Sequence, residues 1–527
     1  MKRTTVLALL GLCIGLRVVS LVRPCLSDDE AIYATVAREM LTGHELYRDV
    51  VDHKPPAIYV VYAATQAVAG AIGGMVLLHL VLIGVVFATA LLLARIVRMH
   101  WPGTDARAPT AAALLWIAYT TTLVDVDALA ANCELFMMLP LVGAVCVFLD
   151  GRGRLGDQAL AGILIGVACL FKYQAGIQLP LLGAAALLGL SEGGVGRRLV
   201  AVVALGAGFA AMIGFALCWL WRGGGLDEAM FWLKFNFAYI EVGTSWHELV
   251  QRLAIRGGLV VGSAALLYGL GTAAVVAARR EPFVRFMAGW LLVSGIAVFV
   301  GGRFFGHYFH QLTAPLAVLA APATVRLWQR RRAVVGLAIG VPAACYLVLG
   351  ALHDRVMAWY GEPDPDYPAV VAWLDARGPG SICVWGNSPV LYFDAARPLG
   401  CRFVFANYLT GASPATATQT NSGVDSTRYI VREAWPMLEA DLATRRPRFV
   451  IDGSPGDVAF YGKYPPSKFP ALAHVLDRDY RPVADVAGMR VYERRAPRCA
   501  TAEIGAGAGD GAAAAAAPGG TRADEVQ

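Results

Sequence analysis

Long apolar runs, separated by turns too short to hold a polar domain, constrain this chain more than any other feature. They begin near residues 4, 75, 110, 133, 159, 176, 199, 256, 286, 311 and 333. Each is about 17 to 23 residues long, enough for a helix to cross roughly 30 Å of hydrocarbon. Only 16% of the 527 residues are charged, against about 25% in a soluble domain. The expectation is a mostly α, polytopic membrane protein with about eleven transmembrane helices. Collagen, coiled coil and disulfide mini-protein are excluded.

The net charge of +6 does not point to nucleic acid, because the basic residues sit in short turns between apolar runs. Ten cysteines are too few and too scattered for a disulfide framework. Cys146, Cys169 and Cys218 lie inside apolar stretches and read as small core hydrophobes. Cys383 and Cys401 can pair only if their domain faces an oxidising compartment. The 45 basic residues divide into 39 Arg and 6 Lys, which makes each lysine near the membrane informative.

Positive charge marks the inner turns. Lys2 and Arg3 put the N-terminus inside. Arg95, Arg98 and Arg107 follow, then Arg152 with Arg154, Arg197 with Arg198, Arg279 with Arg280 and Arg285, and Arg326 with Arg330, Arg331 and Arg332. These clusters alternate only if residues 23–74 are wholly outside, so the apolar stretch after Pro55-Pro56 must lie along the surface or re-enter. Everything after about His353 is then outside. No small-residue cleavage site follows the first apolar run, so it reads as a span and not as a cleaved leader. Spacings such as Gly162…Gly166 fit close helix packing in lipid.

These patterns divide the chain into a membrane portion, residues 1–352, with outer loops at 23–74 and 222–256, and a different region at 353–499. In the latter, short β-rich runs at Ser381–Trp385, Arg402–Ala406, Arg448–Asp452 and Met489–Glu493 alternate with helical patterns at Tyr367–Ala376 and Tyr429–Ala443. This predicts a small α/β extracytoplasmic domain. Residues 500–527 are an Ala/Gly-rich run with no core-forming pattern, expected to be disordered. The inner turns, about 5 to 15 residues long, cannot house a nucleotide-binding fold, and the sequence has no phosphate-binding glycine loop or Cys/His metal cluster. Any chemistry therefore belongs to the outer side.

The first outer loop reads Ser27-Asp28-Asp29-Glu30-Ala-Ile-Tyr33, an amphipathic helix for the interface. Ser27-x-x-Glu30 is a capping box, and acids in a first turn suit the helix dipole. That accounts for Glu30 and Asp28 structurally and leaves Asp29 without such a need. Next comes Asp52-His53-Lys54-Pro55-Pro56, where two prolines open a helix. A lysine is unfavourable at this already positive end unless an anion sits between them, and phosphate is the usual guest; the plain alternative is a lysine snorkelling to the headgroups.

The second outer turn carries Asp125, Asp127, Asn132 and Glu134 just before an apolar run. Asp127 or Asn132 suits a helix cap, and any of the three acids can serve as a second carboxylate. Lys172 in Lys172-Tyr173-Gln174 reaches the outer face, where it is either an interface anchor or an inward charge that needs an anion. In the 222–256 loop, Trp232, Lys234, Asn236, Tyr239, Trp246 and His247 read as an aromatic belt, or as an amphipathic lid. Arg303, His307, Tyr308, His310 and Gln311 share one outer turn. Arginine's fork suits phosphate oxygens. A divalent metal on His307 and His310 needs more ligands than this turn supplies.

Asp29-Glu30…Tyr33-Ala…Ala37-Arg38-Glu39-Met40 followed by Lys54-Pro55-Pro56 resembles the first outer loop of the GT-C glycosyltransferases, in particular the bacterial protein O-mannosyltransferase and lipid A aminoarabinose transferase group. The stretches GVACLFKYQAG, around Lys172, and GRFFGHYFHQLTAP are similar to later features of that group, so the resemblance covers roughly residues 5–330. VWGNSPVLYFDAARP resembles a segment that recurs in its uncharacterised members. The resemblance implies a polyprenyl-phosphate-linked sugar donor, a lipid, glycan or protein acceptor, and transfer with inversion on the outer face of the inner (plasma) membrane. It implies Asp29 as general base, Lys54 on the donor phosphate with Arg303 or His307 assisting, and Asp127 as second carboxylate. Asp28, Glu30, Glu134, Lys172, Tyr308 and Gln311 complete the expected substrate site. The doublets Asp28-Asp29 and Asp125-Asp127 leave each assignment open by one or two positions.

The residues support the same chemistry by themselves. A leaving phosphate needs fixed positive charge in a water-poor place, and attack by a hydroxyl needs a carboxylate within reach. The rival reading is a secondary transporter or flippase, which calls for polar residues at the midplane and internal repeats. Here the polar clusters gather at one face, and Arg17 is the clear mid-segment charge.

Overall fold

The computed structural model describes residues 1–23, 25–121, 129–235, 246–352, 365–412 and 426–496. Asp125, Asp127, Asn236, Tyr239 and the Ala/Gly-rich tail lie outside the described residues. The described residues up to Arg494 form one compact unit.

Every apolar run of the sequence falls on a helix. Among the described residues, six helical segments are long and apolar enough to cross a bilayer: Ala57–His100, Cys133–Gly151, Tyr173–Leu190, Val195–Arg222, Pro282–Val300 and Arg332–Ala351. Trp246–Ser263 and Ala265–Ala277 make a seventh if the pair, bent by 89°, is one span. Arg3–Leu16, Ala108–Tyr119 and Leu155–Phe171 are apolar but shorter, and His310–Arg330 is more polar because His310 and Gln311 open it and Arg326, Gln329 and Arg330 close it. The protein is a multi-pass membrane protein. Close helix packing occurs where glycine permits it: a Cβ on Gly162 would fall on the Leu205 carbonyl oxygen, and one on Gly208 on that of Ala159. These contacts join Leu155–Phe171 to Val195–Arg222 backbone to backbone.

The Ala57–His100 helix is in fact two arms. Gly70 breaks it with φ 73° and ψ −177°, a conformation that L side chains resist. The first arm packs on the Asp28–Leu41 helix, where the Gln66 amide donates to the Ala34 carbonyl at 3.0 Å. The apolar stretch after Pro55-Pro56 is therefore an arm of its own, and the second arm starts beyond Gly70.

The C-terminal part holds a four-stranded sheet: β1 (Ile382–Trp385), β2 (Phe449–Asp452), β3 (Tyr480–Val486) and β4 (Met489–Arg494), ordered β1-β2-β4-β3. β1 and β2 are parallel, and the other pairs antiparallel. Helices Tyr367–Asp375, Pro389–Ala395, Ala434–Thr444 and Pro470–Asp479 accompany it. The Arg402–Ala406 run is not a strand. Its Phe403 makes an isolated bridge to Val51, so its partner is the segment just before Lys54 and not the sheet. The edge strand β3 escapes the sequence because Pro482 and its polar residues mask the apolar alternation.

This sheet-bearing part clasps residues 38–51 at several points. Arg38 donates to the Tyr392 and Arg397 carbonyls at 3.1 and 3.0 Å. Val51 donates its N–H to the Arg402 carbonyl at 2.9 Å, and Arg445 donates to the Asp49 carbonyl at 2.7 Å. Trp232, expected in an aromatic belt or lid, is instead fully buried with its ring 4.9 Å from that of Tyr408.

Candidate active site

Lys54 is presented by a backbone held on all sides. The Tyr47 hydroxyl donates to the Lys54 carbonyl at 2.6 Å, and the chain turns through Tyr47 at φ 71°. Just upstream, the buried Asp52 carboxylate accepts the His53 N–H at 2.7 Å and the Tyr59 hydroxyl at 2.6 Å. The His53 ring lies 2.7 Å from the Tyr408 hydroxyl. Pro55 and Pro56 then open the Ala57–His100 helix, so Lys54 stands just ahead of the positive end of a dipole.

The anion it needs is Asp29. Lys54 Nζ and Asp29 Oδ2 are 3.9 Å apart, with side chains 19% and 32% exposed, so the pair is reachable from solvent. Burial pulls the Lys54 ammonium down, but Asp29 foremost, then Tyr308, Cys133 and Asp52, hold it well above the usual lysine range. The three consecutive acids of the first turn divide by depth: Asp28 is exposed, Asp29 half-buried on Lys54, and Glu30 fully buried.

Glu30 is turned inward onto backbone. Its carboxylate accepts the N–H groups of Leu26 and Ala131 and lies 3.4 Å from the His79 ring. Ser27 caps the helix by accepting the Glu30 N–H at 3.3 Å. The capping box is thus half realised, because the Glu30 side chain reaches Leu26, one residue before the cap. The 129–131 segment is tied at two further points: Arg17 donates to the Leu129 carbonyl at 2.8 Å and Tyr62 to the Ala131 carbonyl at 3.1 Å. These ties fix the chain just beyond Asp125 and Asp127.

Glu134, buried, and Lys172, largely covered, form an ion pair between the Cys133–Gly151 and Leu155–Phe171 segments. The anion that an inward Lys172 requires is therefore internal. The His307 ring lies 3.7 Å from the same carboxylate, and the Lys172 ammonium sits 4.0 Å from the centre of the Tyr308 ring. His307 stacks on Phe305 with ring centres 5.7 Å apart. Lys54, Asp29 and Arg303 in turn act electrostatically on Tyr308, so one polar cluster joins both lysines to this turn.

Arg303, His310 and Gln311 are all buried. Arg256 donates to the Arg303 carbonyl at 3.1 Å, and the Gln311 amide has no hydrogen-bond partner among the described residues. No group of three or more His, Cys, Asp or Glu side chains able to hold a metal converges among the described residues. His307 and His310 thus gain no third ligand there.

The sequence draws attention to Lys54 but not to its supports Tyr47, Asp52 and Tyr59, nor to Tyr33, whose ring lies 5.8 Å from Tyr59 and 5.5 Å from Tyr62. Tyrosines near a membrane surface read as belt residues. The available signal is Asp52 itself, an acid two positions before an unfavourably placed lysine.

No protein-family model matches the chain, and no curated protein matches it in sequence. Solved structures do match in fold. ArnT from Cupriavidus metallidurans, solved bound to undecaprenyl phosphate, aligns over 93% of this chain and 98% of its own with a TM-score of 0.58 at 16% identity. The archaeal oligosaccharyltransferase AglB from Archaeoglobus fulgidus, solved with an inhibitory peptide and a dolichol-phosphate, aligns over 94% of this chain and 75% of its own, with a TM-score of 0.53 at 14% identity. The Archaeoglobus fulgidus oligosaccharyltransferase in complex with Zn and sulfate gives 93%, 73%, 0.51 and 15% for the same quantities. The chain has the fold of the GT-C membrane glycosyltransferases.

Proposed function

We propose that the protein is a glycosyltransferase that moves a hexosyl or pentosyl group from a polyprenyl-phosphate donor to an acceptor hydroxyl, with inversion, on the extracytoplasmic side of the inner (plasma) membrane. The observation that carries this reading is the partly open Asp29–Lys54 pair, 3.9 Å apart near the N-terminal ends of the Asp28–Leu41 and Ala57–His100 helices. A carboxylate and an ammonium from separate segments are what a hydroxyl nucleophile and a phosphate leaving group require. The fold shared with proteins solved holding undecaprenyl phosphate and dolichol-phosphate supports the donor class.

In the proposed step Asp29 takes the proton of the acceptor hydroxyl as its oxygen bonds to the anomeric carbon. The bond from that carbon to the phosphate oxygen breaks, and the electron pair leaves on the phosphate. Lys54 meets that charge. Before donor arrives the two side chains neutralise each other; the phosphate then takes the ammonium and leaves the Asp29 lone pairs to the acceptor. Lys172, Tyr308, His307, Arg303 and Gln311 form the wall beside the phosphate, with Glu134 as internal counter-ion. Asp127 is the second carboxylate, Asp28 lies at the entrance, and Glu30 serves the site by holding its loops. The acceptor is a lipid, such as lipopolysaccharide, a glycan or a protein of the cell envelope.

The test is purified protein in lipid discs, given synthetic polyprenyl-phosphate sugars and an envelope extract. Free polyprenyl phosphate and a glycosylated product are expected. Movement of intact donor across a vesicle membrane without bond cleavage would overturn the reading in favour of a flippase.

A further inference from the structure

The sulfurs of Cys383 and Cys401 lie 2.8 Å apart in the sheet-bearing part. Both side chains are buried, at 6% and 1% exposure. Cys383 is on β1, and the returning chain is fastened beside it by the Gly400 N–H on the Ile382 carbonyl at 2.7 Å and by the Ile382–Leu399 bridge. The backbone thus holds the two cysteines face to face independently of any bond between them. Immediately after Cys401 the chain enters the clasp on the first outer loop. The Arg402 carbonyl accepts the Val51 N–H, and Phe403 bridges Val51, three residues before Lys54. Arg402 itself is locked by two bonds to Asp441 at 2.9 Å.

We propose that Cys383 and Cys401 are joined by a disulfide in the working protein, and that this bond braces the strut on which the Lys54 loop rests. The inference rests on the extracytoplasmic placement proposed above, since disulfides persist in oxidising compartments. Two thiols give up two protons and two electrons. A disulfide-bearing oxidant takes them and becomes two thiols, by exchange through a mixed disulfide. Because both sulfurs are buried, the exchange belongs to the folding chain, before the domain closes over them. Once formed, the bond is shielded from soluble reductants by the same burial.

The full-length protein, with free thiols blocked by N-ethylmaleimide as membranes are broken, is digested without reductant and mapped by mass spectrometry. A linked pair of peptides carrying Cys383 and Cys401 is expected, and reduction of the intact protein is expected only after unfolding. Maleimide on both residues after unfolding without reductant would overturn the inference, as would linkage of either one to another cysteine. Donor turnover measured on the same preparation separates the two ideas. Free thiols with turnover intact remove the disulfide alone, whereas a linked pair without turnover removes the transferase reading alone. In the Cys383→Ala/Cys401→Ala variant, a lower melting temperature and a weaker donor KM with kcat retained are expected, since the strut and not the chemistry is loosened.

Discussion

The Glu30 carboxylate accepts the backbone N–H of Ala131, 101 residues further along the chain, and so ties the helix of Asp29 to the entry of the Cys133–Gly151 helix. Glu30→Gln keeps the volume but loses the charge and turns an amide toward N–H groups that need an acceptor. Stranding one such buried donor costs about 1–3 kcal/mol. We expect a lower melting temperature and a fall in turnover of roughly 10-fold or more, a fall that scales with that cost. Unchanged melting and turnover in this variant would show that the latch is dispensable.

Asp29 and Lys54 should fail in different ways. Asp29→Asn removes the base and should lower kcat by about 10²- to 10⁴-fold, the usual worth of a positioned general base. Membrane insertion and donor affinity should hold. Lys54→Ala should instead weaken donor binding by about 10-fold or more, since a charge-assisted contact is worth roughly 1.5–3 kcal/mol. Donor binding and turnover measured side by side decide it. An Asp29→Asn protein that turns over normally takes Asp29 out of the mechanism, and an unchanged donor affinity in Lys54→Ala reduces that lysine to an anchor.

The parts of the molecule written in local pattern are legible in the sequence. Apolar length locates the helical runs, and Ser27 with the acids after it marks the start of the Asp28–Leu41 helix. Pairings across the chain are not legible. Lys172 signals that it needs an anion, yet nothing in its neighbourhood names Glu134, 38 residues away. Arg402–Ala406 has strand-like residues, but its partner is Val51, far away in the chain, and composition carries no record of partners. Of three adjacent acids, capping justifies Glu30, while its actual use, reaching Ala131, depends on how two loops are brought together.

Glu134 and Lys172 offer a test by paired substitution. Glu134 is buried, Lys172 is largely covered, and each is the other's nearest counter-charge. Removing one partner of a buried pair costs about 3–5 kcal/mol, because the survivor is left desolvated, whereas replacing both with apolar residues is often close to neutral. Lys172→Met and Glu134→Gln should therefore each destabilise the protein, and the combination of Lys172→Met with Glu134→Met should recover most of the loss. Melting in detergent measures this. If the double variant is as unstable as the sum of the singles, the two residues do not act as a unit. Turnover adds a second reading: a stable but inactive double variant places Lys172 on the donor and not only on Glu134.

Asp52 links the site to acid stability. Burial alone would push its carboxyl up, but His53, then Lys54 and the Tyr59 hydroxyl, outweigh it and hold the group below the ordinary aspartate value. A group whose folded pKa is depressed contributes stability that is present above its unfolded pKa and lost as pH falls through the folded value. The difference in melting temperature between wild type and Asp52→Asn should then be constant from neutral pH to about pH 5 and shrink only below about pH 4, where the unfolded carboxyl begins to take up protons first. Because Tyr47 and Tyr59 position Lys54 through this same loop, donor affinity in Asp52→Asn should be weakened at neutral pH as well. A melting difference that already closes near pH 6, above the range in which the Asp52 carboxyl takes up protons, would remove Asp52 as the charge that holds the loop.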